Sequence, residues 1–137
     1  MKIITGFVLV GVMLLNIGCS YAASLNKTNE EIEELAGALL NNVLEGLKAG
    51  DYEKYSRNFD RALKEAITEA EFENVKDTIS RQVGNYLYRE YLGFLEKEGM
   101  TVVLFKGVFD KSRNDVLIKL VISEREEGCF ITGVWFQ

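Results

Sequence analysis

Along the first half of the chain apolar residues return every three or four positions, and along the second half every two. Ile32, Leu35, Ala36, Leu39, Val43, Leu44 and Leu47 hold the helical period, which gathers them on one face of an amphipathic helix. Its start is written in Thr28-Asn29-Glu30-Glu31, a capping box in which the Thr28 side chain and that of Glu31 satisfy each other's backbone amides. The acids there also suit the positive end of the helix dipole. Ala49-Gly50 supplies the stop. Asp51 is placed to cap a short helix whose Tyr52, Tyr55 and Phe59 share a face, and Asp60 to restart it with Leu63 and Ile67 inward. Thr68-Glu69-Ala70-Glu71 reads as a second capping box, opening a helix through Phe72, Val75, Ile79 and Val83 that Gly84 ends.

After Gly84 the period becomes two and the residues turn aromatic and β-branched, the signature of strands. Four runs are predicted, over Tyr86 to Lys97, Met100 to Asp110, Val116 to Glu124 and Cys129 to Phe136. Connections this short join antiparallel neighbours, so the simplest topology is a four-stranded meander. Gly93 and Gly107 fall inside strands and are candidate bulges or bends that would curl the sheet. The fold class is therefore α+β, with N-terminal helices packed on an antiparallel meander. The expected division is an export signal over 1–22, a short tether over 23–30 and a single domain over 31–137.

The strands do not alternate cleanly between apolar and polar. In the third, Val116, Ile118, Leu120 and Ile122 form an apolar row, yet Leu117 and Val121 sit in the other beside Lys119 and Ser123. The second strand sets Val102, Leu104 and Val108 against Val103, Phe105 and Phe109; the fourth sets Cys129, Ile131 and Trp135 against Phe130, Val134 and Phe136. Both faces need cover, but the helices can pack on only one. The uncovered face, with Val103, Phe105, Leu117, Val121, Phe130 and Val134 as its candidate members, is expected to close a homodimer, the commonest way to bury such a patch.

Composition narrows the chemistry. The chain holds no His, which removes the imidazole that the common catalytic dyads and triads and most zinc sites require. No metal site or cofactor is expected. The acids Glu30, Glu31, Glu33 and Glu34 read as a solvated helix face, and no calcium-loop spacing occurs. Beyond residue 22, 15 basic residues stand against 21 acidic ones; the basic ones are scattered, so nucleic acid is not an expected partner.

The N-terminus has the layout of an export signal. Lys2 precedes an apolar run from Phe7 to Ile17 that is too short to span a membrane. Two cleavages fit. Leu15-Asn16-Ile17-Gly18-Cys19 resembles a lipobox in which Cys19 is lipidated, with Asn16 where an aliphatic residue is usual; Ser20-Tyr21-Ala22 suits ordinary signal peptidase. The protein is expected outside the cytoplasm, in the periplasm or at the cell surface, and bound to a membrane only through a lipid on Cys19. Cys129 then has no thiol partner within the domain and reads as a small buried hydrophobe.

The segment Gly50-Asp51-Tyr52, then Phe59-Asp60, a helix closing at Gly84, and a meander carrying Phe105-Lys106-Gly107-Val108-Phe109 and Ile131-Thr132-Gly133 resembles the domain of unknown function 3887 family. That family belongs to the nuclear-transport-factor-2-like, or cystatin-like, superfamily, and the similarity runs from about Leu35 to Phe136. The resemblance implies a curved sheet wrapped around helices into a cone with a pocket. Related domains often dimerise through the sheet, and some precede α/β-hydrolase domains in longer envelope proteins. It names no activity, because the superfamily hosts enzymes, scaffolds and ligand binders on one frame.

The expected function is a non-catalytic envelope module that binds a small ligand or an envelope protein, or assembles, through a pocket or the sheet face. Tyr55, Phe59, Tyr88 and Trp135 are the candidate pocket residues, since aromatic side chains combine large apolar area with polar tips. The alternative is a small enzyme in which a buried carboxylate works with a tyrosine donor; Glu90 and Asp110, beside aromatics in strands, are its candidate bases.

Overall fold

The structure is a computed structural model and describes residues 27–137. The expected export signal, with Cys19, lies outside the described residues, as does the first part of the tether. Helix α1 (Asn29–Ala49) begins at the predicted box: the Glu31 amide donates to Thr28 Oγ1 at 3.2 Å and the Thr28 amide to Glu31 Oε2 at 2.7 Å. Its buried stripe runs through Ile32, Ala36, Leu39, Leu40, Val43 and Leu44. Helix α2 (Tyr52–Ser56), capped by Asp51, folds back against α1. Gly46 makes that approach feasible, because a Cβ there would stand 2.4 Å from the Tyr55 amide nitrogen.

Helix α3 (Arg61–Ala66) is capped by Asp60 and α4 (Glu69–Gln82) by Thr68. Only half of the second expected capping box forms: the Glu71 amide donates to Thr68 Oγ1 at 3.4 Å without the return bond. Phe72 is the one buried residue of α4 and packs on the Tyr52 and Tyr55 rings, at centroid distances of 5.7 and 4.8 Å. Farther along, Ile79 and Val83 are partly buried against the core, and the Lys111 amide donates to the Val83 carbonyl at 3.0 Å.

Strands β1 (Tyr86–Lys97), β2 (Met100–Phe109), β3 (Val116–Arg125) and β4 (Gly128–Phe136) form one antiparallel sheet in sequence order. This is the predicted α+β meander. The sheet is not closed. Glu98 and Gly99 join β1 to β2 with positive φ of 54° and 78°, the conformation of a two-residue hairpin turn whose twist matches the strands.

Gly93 is a bulge as predicted: Leu92 has no partner of its own between the Tyr91–Phe105 and Gly93–Leu104 pairs. A second bulge falls at Leu87, between Tyr86 and Tyr88. Gly107 forms no bulge. It keeps register with Arg89 and Val116 and serves instead to make room, since a Cβ there would lie 2.8 Å from Ile118 Cδ1.

The core lies between the helices and one face of the sheet. Ile32, Leu40 and Val43 from α1 and Tyr55, Phe59 and Phe72 meet Val103, Phe105, Ile118, Leu120 and Ile131. The two edges of the sheet differ. Residues 58–60 cover part of β4: the Ile131 amide donates to the Asn58 carbonyl at 2.7 Å, and the Asp60 amide to the Ile131 carbonyl at 2.9 Å. Arg125 then ties Asp60 down at 2.9 Å. Nothing pairs with the free edge of β1 among the described residues.

Candidate functional site

Residues paired across neighbouring strands share a face, so the register identifies the side turned away from the helices. From β1 it takes Tyr88, Glu90, Leu95 and Lys97; from β2 their partners Val108, Lys106, Val102 and Met100, together with Leu104. From β3 it takes Leu117, Lys119 and Val121, and from β4 Gly133 and Trp135. Tyr88, Leu92, Leu95 and Trp135 are exposed by 60%, 53%, 59% and 44%. Among the described residues no helix covers this face. Four strands about 4.8 Å apart and some nine residues long present a footprint of roughly 600 Å², shared between apolar side chains and Glu90, Lys97, Lys106 and Lys119.

The charges on the face are arranged rather than scattered. Glu90 Oε2 meets Lys106 Nζ at 2.9 Å, and this pairing pushes the Lys106 ammonium up from its ordinary value. The Lys119 ammonium stands 4.4 Å from the centre of the Trp135 ring, a cation–π contact that lets a lysine lie on apolar surface. Gly133 lies under that ring: a Cβ there would come 2.2 Å from the indole.

Three of the six residues expected on the uncovered face lie on the helix side. Leu117, Val121 and Phe130 do face outward, Phe130 opposite Ser123 and beneath the Arg125 guanidinium at 5.6 Å. Val103 and Phe105 are buried against the helices, and Val134 packs on the same core. For β2 the inverted choice had a signal against it, because the row of Val102, Leu104 and Val108 also contains Lys106 while the row of Val103 and Phe105 contains no charge. For β4 the cause is a register shift: Val121 pairs with Gly133 but Ile122 with Ile131, leaving Thr132 unmatched. This extra residue reverses the alternation, so Ile131, Val134 and Phe136 point inward while Trp135 points out.

The candidate pocket residues do not converge. Tyr55 and Phe59 are core, their rings edge to face at 5.0 Å, and burial pushes the Tyr55 hydroxyl up to about 12. Tyr88 and Trp135 lie on the opposite, outer side of the sheet. The concavities are elsewhere. One of about 1020 Å³ opens between the C-terminal half of α1, α4 and the start of β1. Leu44, Leu47, Ile79 and Phe109 form its apolar walls. Another, of about 720 Å³, runs between the N-terminal half of α1 and β1.

The candidate bases are both tied up on the surface. Glu90 is the partner of Lys106, and Asp110 accepts from the Asn85 amide at 2.8 Å and from its side chain at 3.0 Å. Those Asn85 bonds hold the Asp110 carboxyl below its ordinary range, whereas a general base of the expected kind needs a carboxyl raised by desolvation. Cys129 is half-buried; burial, aided by Glu124, pushes its thiol up. Among the described residues no three His, Cys, Asp or Glu side chains are grouped to hold a metal ion, and no helix is long and apolar enough to cross a membrane.

The family described as Protein of unknown function (DUF3887) matches residues 41–127, more than half of the chain. The match takes in α2 to α4 and β1 to β3, so it covers most of the outer sheet face. No curated relative and no solved structure matches the chain.

Proposed function

Given that the chain belongs to the DUF3887 family, whose description carries no activity, we propose that it is a non-catalytic assembly module of the cell envelope that pairs with a second copy through the outer face of its sheet. The observation that carries this reading is the set of Leu92, Leu95, Leu104 and Trp135 on a face that no helix covers among the described residues. A footprint of roughly 600 Å² approaches the ~800 Å² per partner of a standard interface, and an isologous pair buries the same face on both copies at once. The export layout around Lys2 and the Cys19 lipobox supports an extracytoplasmic location. A lipid on Cys19 would hold such a dimer at a membrane.

Light scattering of the processed chain at micromolar concentration is the test. A dimer is expected, and Leu104→Asp is expected to return it to monomer without unfolding it, because that side chain touches no helix. A single monomeric species in the unsubstituted protein would end the proposal.

A further inference from the structure

The cleft of about 720 Å³ beside α1 has two walls of different kinds. One is a stripe of α1 at helical spacing: Glu30, Glu33 and Glu34, then Gly37, over which the Arg89 guanidinium lies, and Ala38. The other is β1. Tyr88 belongs to the outer row of that strand and Arg89 and Tyr91 to the inner row, yet all three line the cleft. Residues of both rows can line one cleft only where it looks onto the edge of a strand. Here that edge is the one left unpaired among the described residues, and an unpaired edge offers backbone donors and acceptors to a further strand.

Charge selects the occupant. Glu30, Glu33 and Glu34 make no ion pair among the described residues. The cleft's one cation, Arg89, is engaged: it donates to the Gly37 carbonyl and the Tyr86 hydroxyl, each at 3.2 Å, and lies over Phe105. Tyr91 is fixed by donating to Asn29 Oδ1 at 2.7 Å. A bound cation would meet carboxylates on one side and tyrosine rings on the other, the combination that favours ammonium and guanidinium groups.

We propose that the free edge of β1 accepts an extended, basic segment of another protein, added as a fifth strand with its Lys or Arg side chains turned to Glu30, Glu33 and Glu34. The bulges at Leu87 and Leu92 bound a regular run from Tyr88 to Tyr91, so the added strand is short. The stripe from Glu30 to Asn41 spans about 17 Å of helix, the length of about five extended residues. This is strand addition, in which main-chain bonds supply affinity and alternate side chains supply selectivity. It uses the strand edge, and stands whether or not the outer face pairs.

The probe is a labelled seven-residue peptide with lysine at alternate positions and threonine between, titrated into the processed chain by fluorescence anisotropy. Binding is expected, to be weakened about fivefold by Glu33→Gln with Glu34→Gln, the loss of two partly exposed charge pairs. Glu69→Gln with Glu71→Gln, an equal charge change on α4, is expected to stay within about twofold of the unsubstituted protein. Methylation of the peptide's backbone nitrogens, which leaves its charges in place, is expected to abolish binding. Three results would overturn the proposal: no binding, equal weakening by the α4 pair, or equal affinity of the methylated peptide.

Discussion

The two faces of the sheet are built from the same kinds of residue and do different things. Facing the helices are Val103, Phe105, Ile118, Leu120 and Ile131, all but fully buried; facing away are Val102, Leu104, Val108, Leu117 and Trp135, half-buried or exposed. Neither row is more apolar than the other. What separates them is the handful of polar residues each tolerates. The inner rows of β2 and β3 admit Thr101 and no charge before Glu124, whereas the outer rows of the same strands carry Lys106 and Lys119, neutralised by Glu90 or laid on an indole. A face that pairs its charges or lays them over a ring stays wettable as a monomer and dry when covered.

The largest effect should come from moving a large side chain deletion across that divide. Phe105→Ala removes a ring packed on Tyr91 and the helices and is expected to cost about 3–5 kcal/mol in urea unfolding. Leu104→Ala, one residue away on the other face, is expected to cost under about 1 kcal/mol in the monomer. Repeating the Leu104→Ala measurement at rising protein concentration sharpens the contrast. If the face pairs, its cost grows with concentration, because association stabilises only the folded chain able to dimerise; Phe105→Ala stays constant.

The helices and strands were legible in the sequence because they rest on local signals. Thr28, Asp51, Asp60 and Thr68 all cap helices as read, and the change of period at Gly84 marks the passage to strands within two residues. The faces were less legible, because sidedness depends on partners far along the chain. In β4 one unmatched residue, Thr132, exchanges the sides of Trp135 and Val134, and nothing local to Ile131-Thr132-Gly133 announces the shift. The candidate pocket failed for a related reason. Tyr55 and Tyr88 are the same residue type, and it is the packing of Phe59 and Phe72, distant from Tyr88, on Tyr55 that separates a core ring from a surface one.

The dryness of the inner side can be read from pH. Unfolded, Tyr55 ionises near 10, while in the fold burial pushes it up to about 12. The folded chain holds the proton more tightly, so stability is complete below pH 10 and falls as pH rises toward 12. The loss over that window is about 2–3 kcal/mol. Tyr55→Phe keeps the ring and removes the titration, so its stability is expected to decline less between pH 10 and 11 than that of the unsubstituted protein, measured by urea denaturation at each pH. Parallel decline in the two proteins would mean that water reaches the hydroxyl and that the inner side is no drier than the outer.

The smallest effect belongs to the outer face itself. Lys119→Met removes the ammonium over Trp135 and is expected to change monomer stability by no more than about 1 kcal/mol, the worth of an exposed cation–π contact. Its effect on pairing should have the opposite sign, because a cation brought against its own symmetry mate must be desolvated and methionine must not. Trp135 is the one tryptophan of the chain, so its emission reports this face alone. In the unsubstituted protein the emission maximum is expected to move to shorter wavelength as concentration rises and the indole leaves water. In Lys119→Met the same move is expected at lower concentration. An emission maximum that ignores concentration in both proteins would leave the outer face wet and erase the functional half of the contrast, with the stability half untouched.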